Sequence, residues 1–173
     1  EAIHCFYMAR EIGFECINMD VIVGLPGEDQ NDVGYTIEQI RKLKPDNLTV
    51  HTLSVKRASR LRDRVDEYSF PDTQTAAEML EICRRGAMDM GMIPYYLYRQ
   101  KYMLGNMENI GYAVPGKECI YNIQIMEERQ SVWAFGACGI TKIYYPEHNR
   151  IERIANVKNI KEYIDRIDEM IER

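Results

Sequence analysis

The sequence predicts an α/β fold in which the strands of a parallel sheet are joined by crossover helices. Three observations predict it. Apolar residues recur at helical spacing, then in short β-branched runs, in the order helix, strand, helix, strand, helix, strand. The first run, "CINMDVIVGL" (16–25), is closed by Pro26-Gly27, as suits a strand buried on both faces. The segment after it opens with acids and closes with bases, which matches the polarity of a helix dipole. Three strands with two full crossovers fit an open sheet or part of a (β/α) barrel.

Each element has its own signal. Ile3, Tyr7, Met8 and Ile12 form a helical stripe that ends at Gly13. The chain opens inside this pattern without a lead-in. It reads as a piece of a longer protein whose preceding part supplies another strand. After the strand at 16–25, a helix is predicted over 32–43, with Val33, Ile37, Ile40 and Leu43 on one side and Pro45-Asp46 as its stop. "NLTVHTLS" (47–54) is the second strand, and a basic loop with Lys56, Arg57, Arg60, Arg62 and Arg64 follows. Pro71-Asp72-Thr73 opens a helix with Ala76, Leu80, Cys83 and Ala87 along one face, ending near Gly91. "MIPYYLYRQKYM" (92–103) is the third strand, and Pro94 restricts it to an edge or a strand start. Glycine-rich 104–119 reads as a long loop, and 120–129 fits either a helix or an extended segment. "SVWAFGACGITKIYY" and "RIERIA", joined by "PEHN", predict a hairpin. Val157, Ile160, Ile164, Ile167 and Ile171 predict a C-terminal helix that buries its isoleucines. A boundary is expected between a 1–91 barrel portion and a 92–173 region holding the last barrel strand and the substrate side.

Composition narrows the function. Of the 173 residues, 46% are hydrophobic and 28% charged, and the net charge is −5. That balance suits a globular domain and disfavours bulk binding to nucleic acid or anionic membranes. The longest uncharged run, 130–141, is too short to span a bilayer. Five scattered cysteines, Cys5, Cys16, Cys83, Cys119 and Cys138, are odd in number and fit a reducing cytoplasm rather than a disulfide framework.

Asp20 is the residue that needs explaining. Strand alternation sets Asp20, Ile22 and Gly24 on one face and Val21, Val23 and Leu25 on the other. In a barrel the first set looks inward, towards the end where barrel active sites lie. A carboxylate there needs a cation, several hydrogen-bond donors, or a ligand with both. A structural ion pair meets the same need and is, on composition alone, the commoner explanation.

Particular stretches carry more than periodicity. "INMDVIVGLPGED" followed by "LKPDNLTVHTLSVKRASRL" resembles the radical S-adenosylmethionine enzymes of the oxygen-independent coproporphyrinogen III oxidase family. "YYLYRQKYMLGNMENIGYAVPGKECIYNIQIMEE" and "NRIERIANVKNIKEYIDRIDEMIER" are similar to its coproporphyrinogen dehydrogenase (HemZ-type) branch, so the likeness covers essentially the whole chain. The resemblance implies the C-terminal part of a partial (β/α)6 barrel, followed by a family-specific region that ends in a hairpin and a helix. It implies a [4Fe-4S] cluster and S-adenosylmethionine as cofactors, an electron donor to the cluster, and coproporphyrinogen III as the tetrapyrrole substrate in anaerobic haem biosynthesis. The cluster reduces the sulfonium, and the resulting radical takes a hydrogen from a propionate chain that becomes vinyl with loss of CO2. Asp20, Ser54 and Ile140 match contacts to S-adenosylmethionine. A haem-carrying relative without oxidase activity is the alternative that the same family offers.

This chain departs from the family in two respects. The C-x-x-x-C-x-x-C motif and the glycine-rich turn for the cofactor are absent from it, and the cluster cysteines are expected upstream. Alone, the chain is expected to be inactive. Tyr98, Arg99 and Lys101 lie in the tyrosine-rich run and are candidates for the ring and propionates of a tetrapyrrole. An ordinary half-buried edge strand accounts for the tyrosines equally well. His51 is the one histidine of note, because it lies inside a strand.

Overall fold

A computed structural model describes residues 1–55, 59–99, 105 and 107–172. The chain divides into two compact units, Glu1–Cys119 and Ile120–Arg173. In the first, α1 (Ala2–Ile12), β1 (Asn18–Val23), α2 (Gln30–Leu43), β2 (Asn47–Thr52), α3 (Arg60–Asp63), α4 (Thr73–Asp89), β3 (Ile93–Tyr98) and β4 (Asn109–Ala113) follow in order. In the second come α5 (Ile120–Glu127), β5 (Ile140–Tyr145), β6 (Arg150–Ala155), α6 (Ile160–Asp165) and α7 (Ile167–Ile171). The division keeps β3 and β4 with the first unit, whereas the sequence places a boundary after residue 91.

Helix starts follow their side chains. Asp29 accepts from the Asn31 and Asp32 amides at 2.7 and 3.2 Å, and Asp32 accepts from the Asp29 amide at 2.9 Å. This reciprocal box begins α2 two residues before the predicted start. Asp72 does the same for α4 by accepting from the Thr75 amide at 2.7 Å.

The sheet has the order β1-β2-β4-β3. β1 and β2 are parallel, from Asn18 beside Asn47 to Val23 beside Thr52, with α2 as their crossover, as predicted. β4 then enters antiparallel to both β2 and β3. Two expectations are thereby corrected. Residues 104–119 include a strand, and the sheet is mixed rather than wholly parallel. β4 pairs across long sequence separations, and its "NIGYA" lacks the β-branched run that marks a buried strand. β3 is an edge strand with a register shift between Pro94 and Tyr96, the irregularity expected of proline in a sheet.

One sheet face is closed by helices. Val21, Val23, Leu48, Val50 and Tyr112 pack with Val33, Ile37 and Ile40 of α2 and Met79, Cys83 and Ala87 of α4. A methyl at Gly86 would overlap Ile37, so this glycine lets α2 and α4 approach. Burial pushes the Cys83 thiol up to about 12, which keeps it protonated and inert. The end of α1 is tied down by Arg10, which meets Asp46 at 2.6 Å, while Asp46 also accepts from the Ile17 amide at 2.9 Å. The predicted α1 stripe is not core: Ile3, Tyr7 and Ile12 are exposed and Phe6 is the buried residue.

In the second unit β5 and β6 form the predicted hairpin, turned by Pro146–His148. Glu128 meets Lys142 at 2.7 Å and Arg153 at 3.0 Å. The expected C-terminal core helix is a further correction. It is broken at Arg166 into α6 and α7, and Ile160 and Ile164 are 71% and 64% exposed. A 3.6-residue stripe shows that one face is apolar, but burial also needs a partner surface of sufficient area. No helix among the described residues is long and apolar enough to cross a membrane.

Candidate functional site

The other face of the four-stranded sheet is polar, and the register explains its composition. Asp20 stands level with Thr49, Thr49 with Gly111, and Gly111 with Tyr96. One step along, Ile22, His51 and Tyr98 occupy the next row, with Tyr98 opposite Asn109. A side chain at Gly111 would overlap the Tyr96 ring, so glycine in β4 lets the tyrosine cross over it towards β2. Tyr96 and Tyr98 stack, with centroids 6.2 Å apart and planes at 9°.

These side chains form one hydrogen-bonded set. Asn18 donates to Asp20 Oδ1 at 2.6 Å, and Thr49 donates to Asn18 Oδ1 at 3.2 Å. Thr49 Oγ1 and the Tyr96 hydroxyl are 3.3 Å apart. His51 Nε2 stands 3.5 Å from Asp20 Oδ2, and the Tyr98 hydroxyl lies 3.3 Å from His51 Nδ1. Burial pushes the Tyr96 hydroxyl above its usual value, with Tyr95, Tyr98 and Asp20 adding in the same direction, so it remains a protonated donor. Asp20 itself is 59% exposed. A carboxylate offers about four acceptor positions, so Asp20 keeps capacity for a ligand that brings an ammonium or hydroxyls.

The predicted site residues fall in different places. Ser54 lies just past β2, five residues beyond the level of Asp20, roughly 16 Å along the strand. Ile140 begins β5 in the second unit and is 51% exposed. Tyr98 belongs to the polar face, but Arg99 does not. Arg99 pairs with Glu108 at 2.8 Å and lines a groove of about 390 Å³ with Val50, Leu80, Arg84 and Ile110, on the helix side of the sheet. Lys101 lies outside the described residues, as do Lys56, Arg57 and Tyr102. Arg64 of the basic loop pairs with Glu67 at 2.6 Å. Of the other tyrosines, Tyr112 is core and Tyr121 is exposed on α5.

Asn18 and Thr49 are absent from the candidates that the sequence suggested, and Tyr96 entered there only as one tyrosine of the tyrosine-rich run. Strand parity with Asp20 was the available signal for Asn18, and register with Asp20 was not available before the strands were paired. Among the described residues no group of three or more His, Cys, Asp or Glu side chains could hold a metal ion. The cysteines, with Cys83 buried and Cys5, Cys16 and Cys138 exposed, do not fit a three-thiolate cluster site.

Comparison with known proteins places the chain. No family model matches it. It is 40% identical, over 97% of its length, to the oxygen-independent coproporphyrinogen-III oxidase-like protein HemZ of Bacillus subtilis, of which it covers 34%. It is 28% identical over 95% of its length to the heme chaperone HemW of the same organism, covering 39% of that protein. In fold it matches coproporphyrinogen III oxidase (HemN) of Escherichia coli, a radical SAM enzyme, with a TM-score of 0.65 at 18% identity. That match covers 97% of this chain and 37% of the other. The chain therefore spans about a third of the length of these relatives, and it is a homologue within the HemZ-like oxygen-independent coproporphyrinogen III oxidase family.

Proposed function

We propose that this chain is part of an oxygen-independent coproporphyrinogen III oxidase that turns porphyrinogen propionates into vinyl groups with loss of CO2. In this proposal β1 and β2 belong to a partial (β/α)6 barrel, and their polar face lines its interior. The observation that carries the reading is the chain of contacts Asn18, Asp20, His51 and Tyr98, a connected polar set on a sheet whose opposite face is closed by α2 and α4. Barrel strands present ligand-binding residues in this way.

Asp20 holds the amine or hydroxyls of S-adenosylmethionine, with Ser54 at the far end of the cofactor. Tyr98 offers aromatic surface to the tetrapyrrole. Arg99 reaches a propionate only by exchanging Glu108 for it, because the two are already paired. Lys101 is a second candidate cation. When bound, the cluster and S-adenosylmethionine supply the hydrogen abstraction that starts the oxidation. The cluster ligands come from outside this chain, and the 173 residues alone do not turn over. The work of these residues is to orient the cofactor and the substrate.

A haem carrier is the second reading, favoured by the alignment of nearly the whole chain with a heme chaperone. The full-length protein, reduced under anaerobic conditions with S-adenosylmethionine and coproporphyrinogen III, separates the two. Vinyl product supports the oxidase. Stable retention of haem with no vinyl product supports the carrier.

A further inference from the structure

His51 departs from its row. In the register it stands beside Ile22, yet its imidazole turns diagonally to Asp20, with Nε2 3.5 Å from Oδ2. Its other nitrogen, Nδ1, is 3.3 Å from the Tyr98 hydroxyl, which reaches it across β4. A neutral imidazole donates from one nitrogen and accepts at the other. The arrangement suits one assignment: Tyr98 O–H donates to Nδ1, and Nε2–H faces the carboxylate. Among the described residues the ring meets Asp20 from β1 and Tyr98 from β3. The His51 side chain is 27% exposed and Asp20 59%, so the contact closes no core.

We infer that His51 is a positioning residue that links the carboxylate for the cofactor, Asp20, to the hydroxyl on the substrate side, Tyr98. The inference rests on the assignment of Asp20 to S-adenosylmethionine proposed above. His51 orients one carboxylate oxygen and leaves the rest of the carboxylate for the ligand. When the ligand draws Asp20 towards itself, the Nε2–Oδ2 distance changes and the change reaches Tyr98 through one ring. A hydrogen-bond chain of this kind makes occupancy at one end felt at the other.

The test is the dissociation constant for S-adenosylmethionine in the full-length protein, measured by anaerobic equilibrium titration. Asp20→Asn, His51→Phe, His51→Gln and the double variant Asp20→Asn/His51→Phe are compared. His51→Phe raises the constant at least fivefold. His51→Gln, which keeps an N–H towards Asp20, stays within about twofold of the native protein. The double variant is no weaker than Asp20→Asn alone, because both remove the same contact. If Asp20→Asn weakens binding and His51→Phe does not, the inference fails and the assignment of Asp20 stands. If Asp20→Asn has no effect, both fail. A second readout needs no variant: nitrogen NMR of the native protein shows His51 protonated at Nε2, and its signals shift on saturation with S-adenosylmethionine. Signals that stay unmoved contradict the inference even if a variant does not fold.

Discussion

The two faces of the four-stranded sheet come from the same strands and differ at every second residue. Val21, Val23, Leu48 and Val50 face α2 and α4 and are nearly excluded from solvent. Asp20, Thr49 and His51 face the other way and are joined by hydrogen bonds and an imidazole–carboxylate contact. The closed face holds the unit together through apolar area. The open face contributes less apolar area, and its polar groups retain bonding capacity. The contrast shows how one strand can carry scaffold and site together, with alternation keeping them apart.

That contrast can be broken from either side. The largest effect belongs to the closed face. Leu48→Ala removes a side chain with no exposed surface and should cost about 2–5 kcal/mol of stability in chemical denaturation. Affinity for S-adenosylmethionine should survive wherever the variant is folded. A Leu48→Ala protein of native stability would mean that this face is not the core. Gly111→Ala comes next. Its methyl would overlap Tyr96, so the ring must move off Thr49, at a cost of about 1–3 kcal/mol. Unlike the core variant, it should also disturb the tyrosine stack, read as a changed near-ultraviolet circular dichroism signal. The smallest effect belongs to the helix starts. Asp29 and Asp72 are held below the ordinary aspartate value, mainly by backbone amides. Their folded values lie below the unfolded ones, so their contribution is complete above about pH 4 and is lost as the pH falls through the folded values. Asp29→Asn and Asp72→Asn should therefore lower the neutral plateau slightly and flatten the acid side of the stability profile, converging with the native protein at the acid end.

Much of the scaffold was legible because it depends on local signals. The run "CINMDVIVGL", the acid-opened helix after it and "NLTVHTLS" specify β1, α2, β2 and their parallel pairing before any contact is known. β4 was not legible. Asn109 and Gly111 look like loop residues, and the reason for Gly111 is a ring from a different strand. The C-terminal isoleucines show the opposite failure. Their spacing is correct for a helix, but spacing carries no information about whether a surface is available to cover them. For the site, alternation singled out Asp20 correctly as facing away from the helices. The same rule separates Tyr98 from Arg99, which sit next to each other in sequence and on opposite sides of the sheet. Thr49 became part of the site only when register placed two strands side by side, and His51, already notable for lying inside a strand, gained its partners in the same way.

The central claim is that the open face is a cofactor face and that Asp20 is its anchoring charge. The most direct measurement is the affinity of the full-length protein for S-adenosylmethionine with Asp20→Asn, which keeps the shape and removes the charge. The account predicts a dissociation constant raised about tenfold or more, in line with the loss of a charge-assisted contact. It also predicts unchanged iron content, since Asp20 is not a cluster ligand, and a melting temperature close to native. Native affinity combined with a lowered melting temperature would contradict the account and make Asp20 the partner of a structural ion pair.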